Sequence, residues 1–207
     1  MGANYSFEIT FDRERIDNII ECLIDTVCHS DKKALKKCIP WRPATEFTGK
    51  LANGSSSDYS GTGFDQLKRK DNHYHLTLSM PNTSDLAADL EAHDFEHSES
   101  QPFSSIGYVW ASIHVGKKWG ILTLTASTSI MSSLFHSSYT IKNFIVDTFS
   151  PQSSFVLLDT EEEFYLMLYP ATKRIEPGKH EDYCFEPSYE YSPDAFVEKI
   201  NESLKAP

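Results

Sequence analysis

The residues whose types and spacing best suit chemistry are His93, Glu96 and His97, which in His93-Asp94-Phe95-Glu96-His97 fit the pattern H-x-x-E-H. On a continuous helix two histidines four apart share a face and can both ligate zinc, while the glutamate activates the bound water. Glu99, Ser100, Gln101 and Pro102 follow at once. Proline stops a helix, so the same residues also read as a solvated polar helix end. His73 and His75 lie two apart on an expected strand and project to one face, where either would serve as a third ligand. They alternate with Tyr74, Leu76 and Leu78, which puts them on the more exposed side, and solvated histidines are the simpler reading there.

A second constellation points to binding. Tyr183, Phe185, Tyr189 and Tyr191 interleave with Asp182, Glu186 and Glu190. Aromatic side chains anchor protein interfaces, and acids around them speed encounter with a basic surface and select it. The alternative is a loop that packs its aromatics onto its own domain. Asp94 and Glu96 belong to a second acidic segment, 89–99, of similar character.

Other chemistry lacks its signature. Gly61-Thr62-Gly63 has neither the G-x-x-x-x-G-K-[ST] nor the G-x-G-x-x-G continuation that cradles phosphates, and no G-x-S-x-G elbow occurs. Glu161, Glu162 and Glu163 match no calcium loop. Cys22, Cys28, Cys38 and Cys184 form no C-x-x-C and read as free thiols in a reducing compartment. Trp110 and Trp119 flank an expected hairpin and Trp41 lies between prolines, positions that read as core or cleft-lining.

The frame around these residues is that of a globular chain. Its 207 residues are 40% hydrophobic and 13% aromatic, enough to bury a core without metal or disulfide staples. Net charge is −11, and its placement is uneven: residues 81–101 carry six acids and no base, residues 147–191 ten acids against three bases. That balance argues against direct nucleic-acid binding, which needs lysine and arginine to displace phosphate counterions. It suits a basic protein partner. No run of 18 apolar residues suggests a membrane span, and the N-terminal residues lack the basic-then-apolar order of a secretory signal, so the expected location is the cytoplasm.

Periodicity places the elements. Residues 4–11 alternate as a strand, and Ile16, Ile19, Ile20, Leu23, Ile24 and Val27 follow at helical spacing with Asp12 as the expected cap. Further strands are expected over 73–80, 106–115, 119–127, 153–158 and 163–169, with a short helix over 85–93. Gly116-Lys117-Lys118 reads as a tight turn in which glycine supplies a positive φ. Ser129 is the expected cap of one helix running through Ile130, Met131, Leu134, Phe135, Ser138, Ile141, Phe144 and Ile145. Ser192 and Pro193 open a last helix.

The expected fold is α+β: a largely antiparallel sheet, helices mainly on one face, and a ββαββ unit in the second half. Residues 1–207 read as a single domain, with a subregion at 1–80, a central unit at 104–170, and an acidic loop and helix at 171–207. The expected function is non-enzymatic binding of a basic partner, most sharply an immunity-like inhibitor of a nuclease toxin. Asp182, Tyr183, Glu186, Tyr189, Glu190, Tyr191, Asp94 and Glu96 are the expected contacts. The alternatives are a small zinc-dependent hydrolase built on His93 and His97, and a small-molecule-binding domain.

Overall fold

Ser6–Asp12 forms β1, and its alternation sends Phe7, Ile9 and Phe11 to one side of a sheet and Ser6, Glu8 and Thr10 to the other. The computed structural model describes residues 5–27, 74–95, 100–160, 165–170, 184–185 and 192–205. A 3-10 turn over Arg13–Arg15 leads into α1, Ile16–Asp25. Asp12 does not cap it with its side chain. The turn is held instead by the hairpin beyond, where the Arg13 N–H donates to the Lys118 carbonyl at 2.8 Å. The remaining elements are β2 (Tyr74–Pro81), α2 (Ser84–Glu91), β3 (Phe103–Val115), β4 (Trp119–Ala126), α3 (Ser129–Ser137), α4 (Tyr139–Phe149), β5 (Phe155–Asp159), β6 (Tyr165–Tyr169), β7 (Cys184–Phe185) and α5 (Pro193–Ser203).

The seven described strands form one antiparallel sheet in the order β2-β3-β4-β1-β5-β6-β7, so the fold is α+β as the element order implied. The first strand is inserted between the second-half strands, with Ile9 opposite both Leu122 and Val156. Four helices cover the inner face: Ile19, Leu23, Leu86, Leu90, Leu134, Phe135, Ile145 and Phe149 share one cluster with Phe7, Ile9 and Phe11. Among the described helices α5 is the one on the outer face, where Phe196, Val197 and Ile200 pack on Phe155, Leu157, Tyr165 and Met167. That two-sided cover explains the unbroken apolar run of Phe155–Leu158, since strands buried on both faces do not alternate. No helix among the described residues is long and apolar enough to cross a membrane.

The single helix expected after Ser129 is two. Thr128, not Ser129, caps α3, its hydroxyl accepting from the Met131 N–H at 3.2 Å. At Ser138 the backbone turns extended (ψ 113°), and its hydroxyl accepts from the Ile141 N–H at 3.0 Å while donating to Asp89 Oδ2 at 2.6 Å. One serine thus starts α4 and ties it to α2, which outweighs continuing the helix. Lys142 of α4 is only 1% exposed; its Nζ donates to the His136 carbonyl at the end of α3 and lies 4.9 Å from the Tyr139 ring centroid. A cation there complements the negative end of α3.

Gly116 does not take a left-handed φ. Its role is space: a Cβ there would sit 2.1 Å from Asp194 Oδ2. Asp194, in the first turn of α5, accepts from the Lys117 and Lys118 N–H groups at 2.7 and 2.8 Å and so docks the helix on the hairpin tip. Desolvation alone raises its pKa, but the Lys118, Lys117 and Trp119 N–H donors and the Lys117 charge outweigh that and hold it below the usual carboxylate range. Asp194→Ala is expected to cost about 2 kcal/mol at neutral pH, the scale of lost charge-assisted hydrogen bonds. Because the folded pKa is depressed, that stabilisation is present above the ordinary aspartate range and disappears on acidification. Urea midpoints of both proteins at pH 7 and pH 3 measure it, and the gap must shrink at the lower pH.

Candidate binding face

One extra residue decides what the outer face shows. In the β2–β3 pair Leu78 faces Gly107 and Ser79 faces Ser105, so Ile106 is bulged into the core. Gly107 sits at φ 103°, a value L side chains rarely adopt, and a Cβ would lie 3.1 Å from Met131 Sδ. The bulge shifts the alternation by one: Phe103 and Ser105 point outward before it, Tyr108 and Trp110 after it. Without it, one of these pairs would turn into the core. Phe103 is 56% exposed, Tyr108 50% and Trp110 37%, which makes a row of aromatics along a single strand. None of the three belongs to the cluster beneath α5.

The same face carries carboxyl groups further across the sheet. From Trp110 the register runs through Thr125 and Ser6 to Asp159, and in the next row from Ser112 through Thr123 to Glu8 and Leu157. Glu8 Oε2 accepts from Thr123 Oγ1 at 2.8 Å and Oε1 from Ser6 Oγ at 3.4 Å. Burial raises the Glu8 pKa to about 8; the Thr123 hydrogen bond opposes the rise, the Asp159 charge adds to it, and the Ser6 hydrogen bond lowers it slightly. Asp159 is 3% exposed. The seven described strands hold the acids Glu8, Asp12 and Asp159 and no lysine or arginine.

The structure locates His93 and Asp94 just past the end of α2. The helix stops at Glu91, and Asp94 adopts a left-handed φ of 56°, so His93 and Asp94 lie outside its regular turns. His93 Nδ1 lies 2.9 Å from the Asp89 carbonyl oxygen and Nε2 lies 2.9 Å from Ser137 Oγ. Among the described residues no three histidine, cysteine or acidic side chains gather as a metal group. His73, Glu96, His97, Asp182, Tyr183, Glu186, Tyr189, Glu190 and Tyr191 lie outside the described residues, and of Phe185 and His75 only the strand positions are given, His75 opposite Trp110. Cys22 is a free thiol, half-buried, with its pKa raised by burial and by Asp25 and Glu21.

The sequence reading missed the aromatic row because it began the strand at 106 and took Trp110 for a core or cleft-lining residue. The available signal was Gly107 inside a strand, which marks a bulge and a change of face. Glu8 stood in the alternation as an outward polar residue, with nothing local to show what would cover it.

No family model matches the chain. No curated protein and no solved structure matches it either.

Proposed function

We propose that this chain is a binding protein whose outer sheet face holds a lysine- and arginine-bearing segment of a partner protein. The observation that carries the reading is the exposed row of Phe103, Tyr108 and Trp110 on a sheet whose described strands contain no lysine or arginine. Exposed aromatics in a row are unusual on a solvated strand and supply anchoring area at an interface. Cationic side chains gain further from the faces of tryptophan and tyrosine. The acidic segment 81–101 joins β2 to β3 and adds long-range attraction for a basic surface. An immunity-like inhibitor of a nuclease toxin is the sharpest form of this function, because a nuclease must be basic to hold phosphates.

Fluorescence anisotropy with labelled 15-residue peptides tests it, one rich in lysine and arginine, one neutral and one acidic, at low and high salt. The basic peptide is expected to bind most tightly and to weaken with salt. Tyr108→Ala with Trp110→Ala should cost at least about 2 kcal/mol, or thirtyfold in Kd, on the scale of interface hot spots. Equal binding of the neutral peptide, or a double variant that binds like the parent, overturns the reading.

A further inference from the structure

Across the molecule from the aromatic row, the ends of α2 and α3 bring together a serine and a histidine that are 44 positions apart. Ser137 Oγ lies 2.9 Å from His93 Nε2, within the reach of a nucleophile and its base. The other ring nitrogen faces the Asp89 carbonyl oxygen at 2.9 Å. A carbonyl only accepts, so Nδ1 carries the proton and the Nε2 lone pair faces the serine. That tautomer is the one a general base needs, and the carbonyl is the third group that orients it. The second anchor of the arrangement is Ser138, whose hydroxyl donates to Asp89 Oδ2 and fixes α2 against the start of α4.

From this geometry we infer that Ser137 is an activated nucleophile, with His93 as its base, toward neutral or cationic acyl groups. Ser137 is exposed and His93 half-buried, so the hydroxyl is open to solvent while the ring is held. Asp89 beside the pair, with exposed Glu91 and Asp94 on its flank, disfavours anionic substrates. Ser137 Oγ has one competing acceptor, the Ser133 carbonyl at 2.9 Å, and attack requires the proton to turn from it toward Nε2.

The step balances with an ester and water. Oγ bonds to the acyl carbon, its proton passes to His93 Nε2, and the alcohol or phenol leaves with that proton. Water then takes the acyl group by the reverse path and restores the serine. A fluorophosphonate stops at the first stage: the Oγ–P bond forms, fluoride leaves, and the proton goes through His93 to solvent.

The whole chain, treated with a biotinylated fluorophosphonate and digested for mass spectrometry, reads the pair directly, with p-nitrophenyl acetate hydrolysis alongside. The label is expected on Ser137 at a rate at least tenfold above Ser133, an exposed serine of the same helix. His93→Gln should slow labelling about 100-fold, the lower range for general-base assistance. Ser133→Ala should leave the rate within twofold, and Ser137→Ala should remove both the label and the esterase activity. Labelling of Ser137 no faster than Ser133, or undiminished in His93→Gln, overturns the inference and leaves the hydrogen bond as a staple between helices. The comparison of two serines within the unmodified protein holds even if a histidine variant folds poorly. Its outcome is also independent of the peptide-binding test, since the two faces share no residue.

Discussion

Replacing Glu8 with glutamine is expected to make the protein more stable at pH 8.5 and to remove most of the fall in stability that the parent shows between pH 4.5 and 8. In the folded chain burial raises the Glu8 pKa from 4.5 to about 8. Between those values the native state holds a proton that the unfolded chain releases, so the stabilisation is complete below about pH 4.5 and is lost as pH rises through 8. At about 1.4 kcal/mol per unit the full effect approaches 5 kcal/mol, and because Glu8 keeps some solvent contact we expect about 2–4 kcal/mol. Glutamine keeps an oxygen for the Thr123 hydroxyl and has no charge to bury. Urea unfolding of both proteins from pH 4.5 to 9 gives the difference. Parallel curves would mean that Glu8 ionises like a solvated glutamate and that the outer face is wetter than its packing implies.

Lys142 acts in the opposite direction and in a higher window. Burial lowers its pKa from 10.5 to about 8. From about pH 8 to 10.5 the unfolded chain keeps a proton that the native state has given up, so stability gains as pH rises across this range. Relative to Lys142→Met, the parent is therefore expected to gain up to about 3 kcal/mol between pH 8 and 10.5. Taking the difference between the two proteins removes the other groups that titrate there. A constant difference across the window would show that Nζ stays charged on the His136 carbonyl and that the Tyr139 ring and the end of α3 offset its burial. Between them the two residues contribute least to stability near pH 8, where the Glu8 contribution has been lost and that of Lys142 has not yet been gained.

The elements themselves were legible because they rest on local physics. Alternation set Phe7, Ile9 and Phe11 on one side of β1 and the 3.6-residue period set Ile19, Leu23 and the rest of α1, as the buried residues confirm. Ser192 and Pro193 opened α5 as their capping chemistry requires, with Ser192 Oγ accepting from the Ala195 N–H. The caps that failed did so to tertiary competitors. Asp12 lost its role to the Arg13–Lys118 tie, and the helix after Thr128 broke at Ser138 because Asp89, 49 residues away, offered its hydroxyl a partner.

What the sequence determined by itself is the α+β class and the buried faces of most of its strands and helices. Only the tertiary structure decided that β1 lies between β4 and β5, which places Glu8 beside Thr123 and Asp159 and turns an outward polar residue into a half-buried one. It also decided that Gly107 bulges the strand and lines up Phe103, Tyr108 and Trp110, and that His93 meets Ser137, 44 positions away. The reason is common to all three. Periodicity follows from backbone geometry within a few residues, whereas a site is made by side chains that the chain's topology brings together from afar, and no local pattern encodes which strand will pair with which.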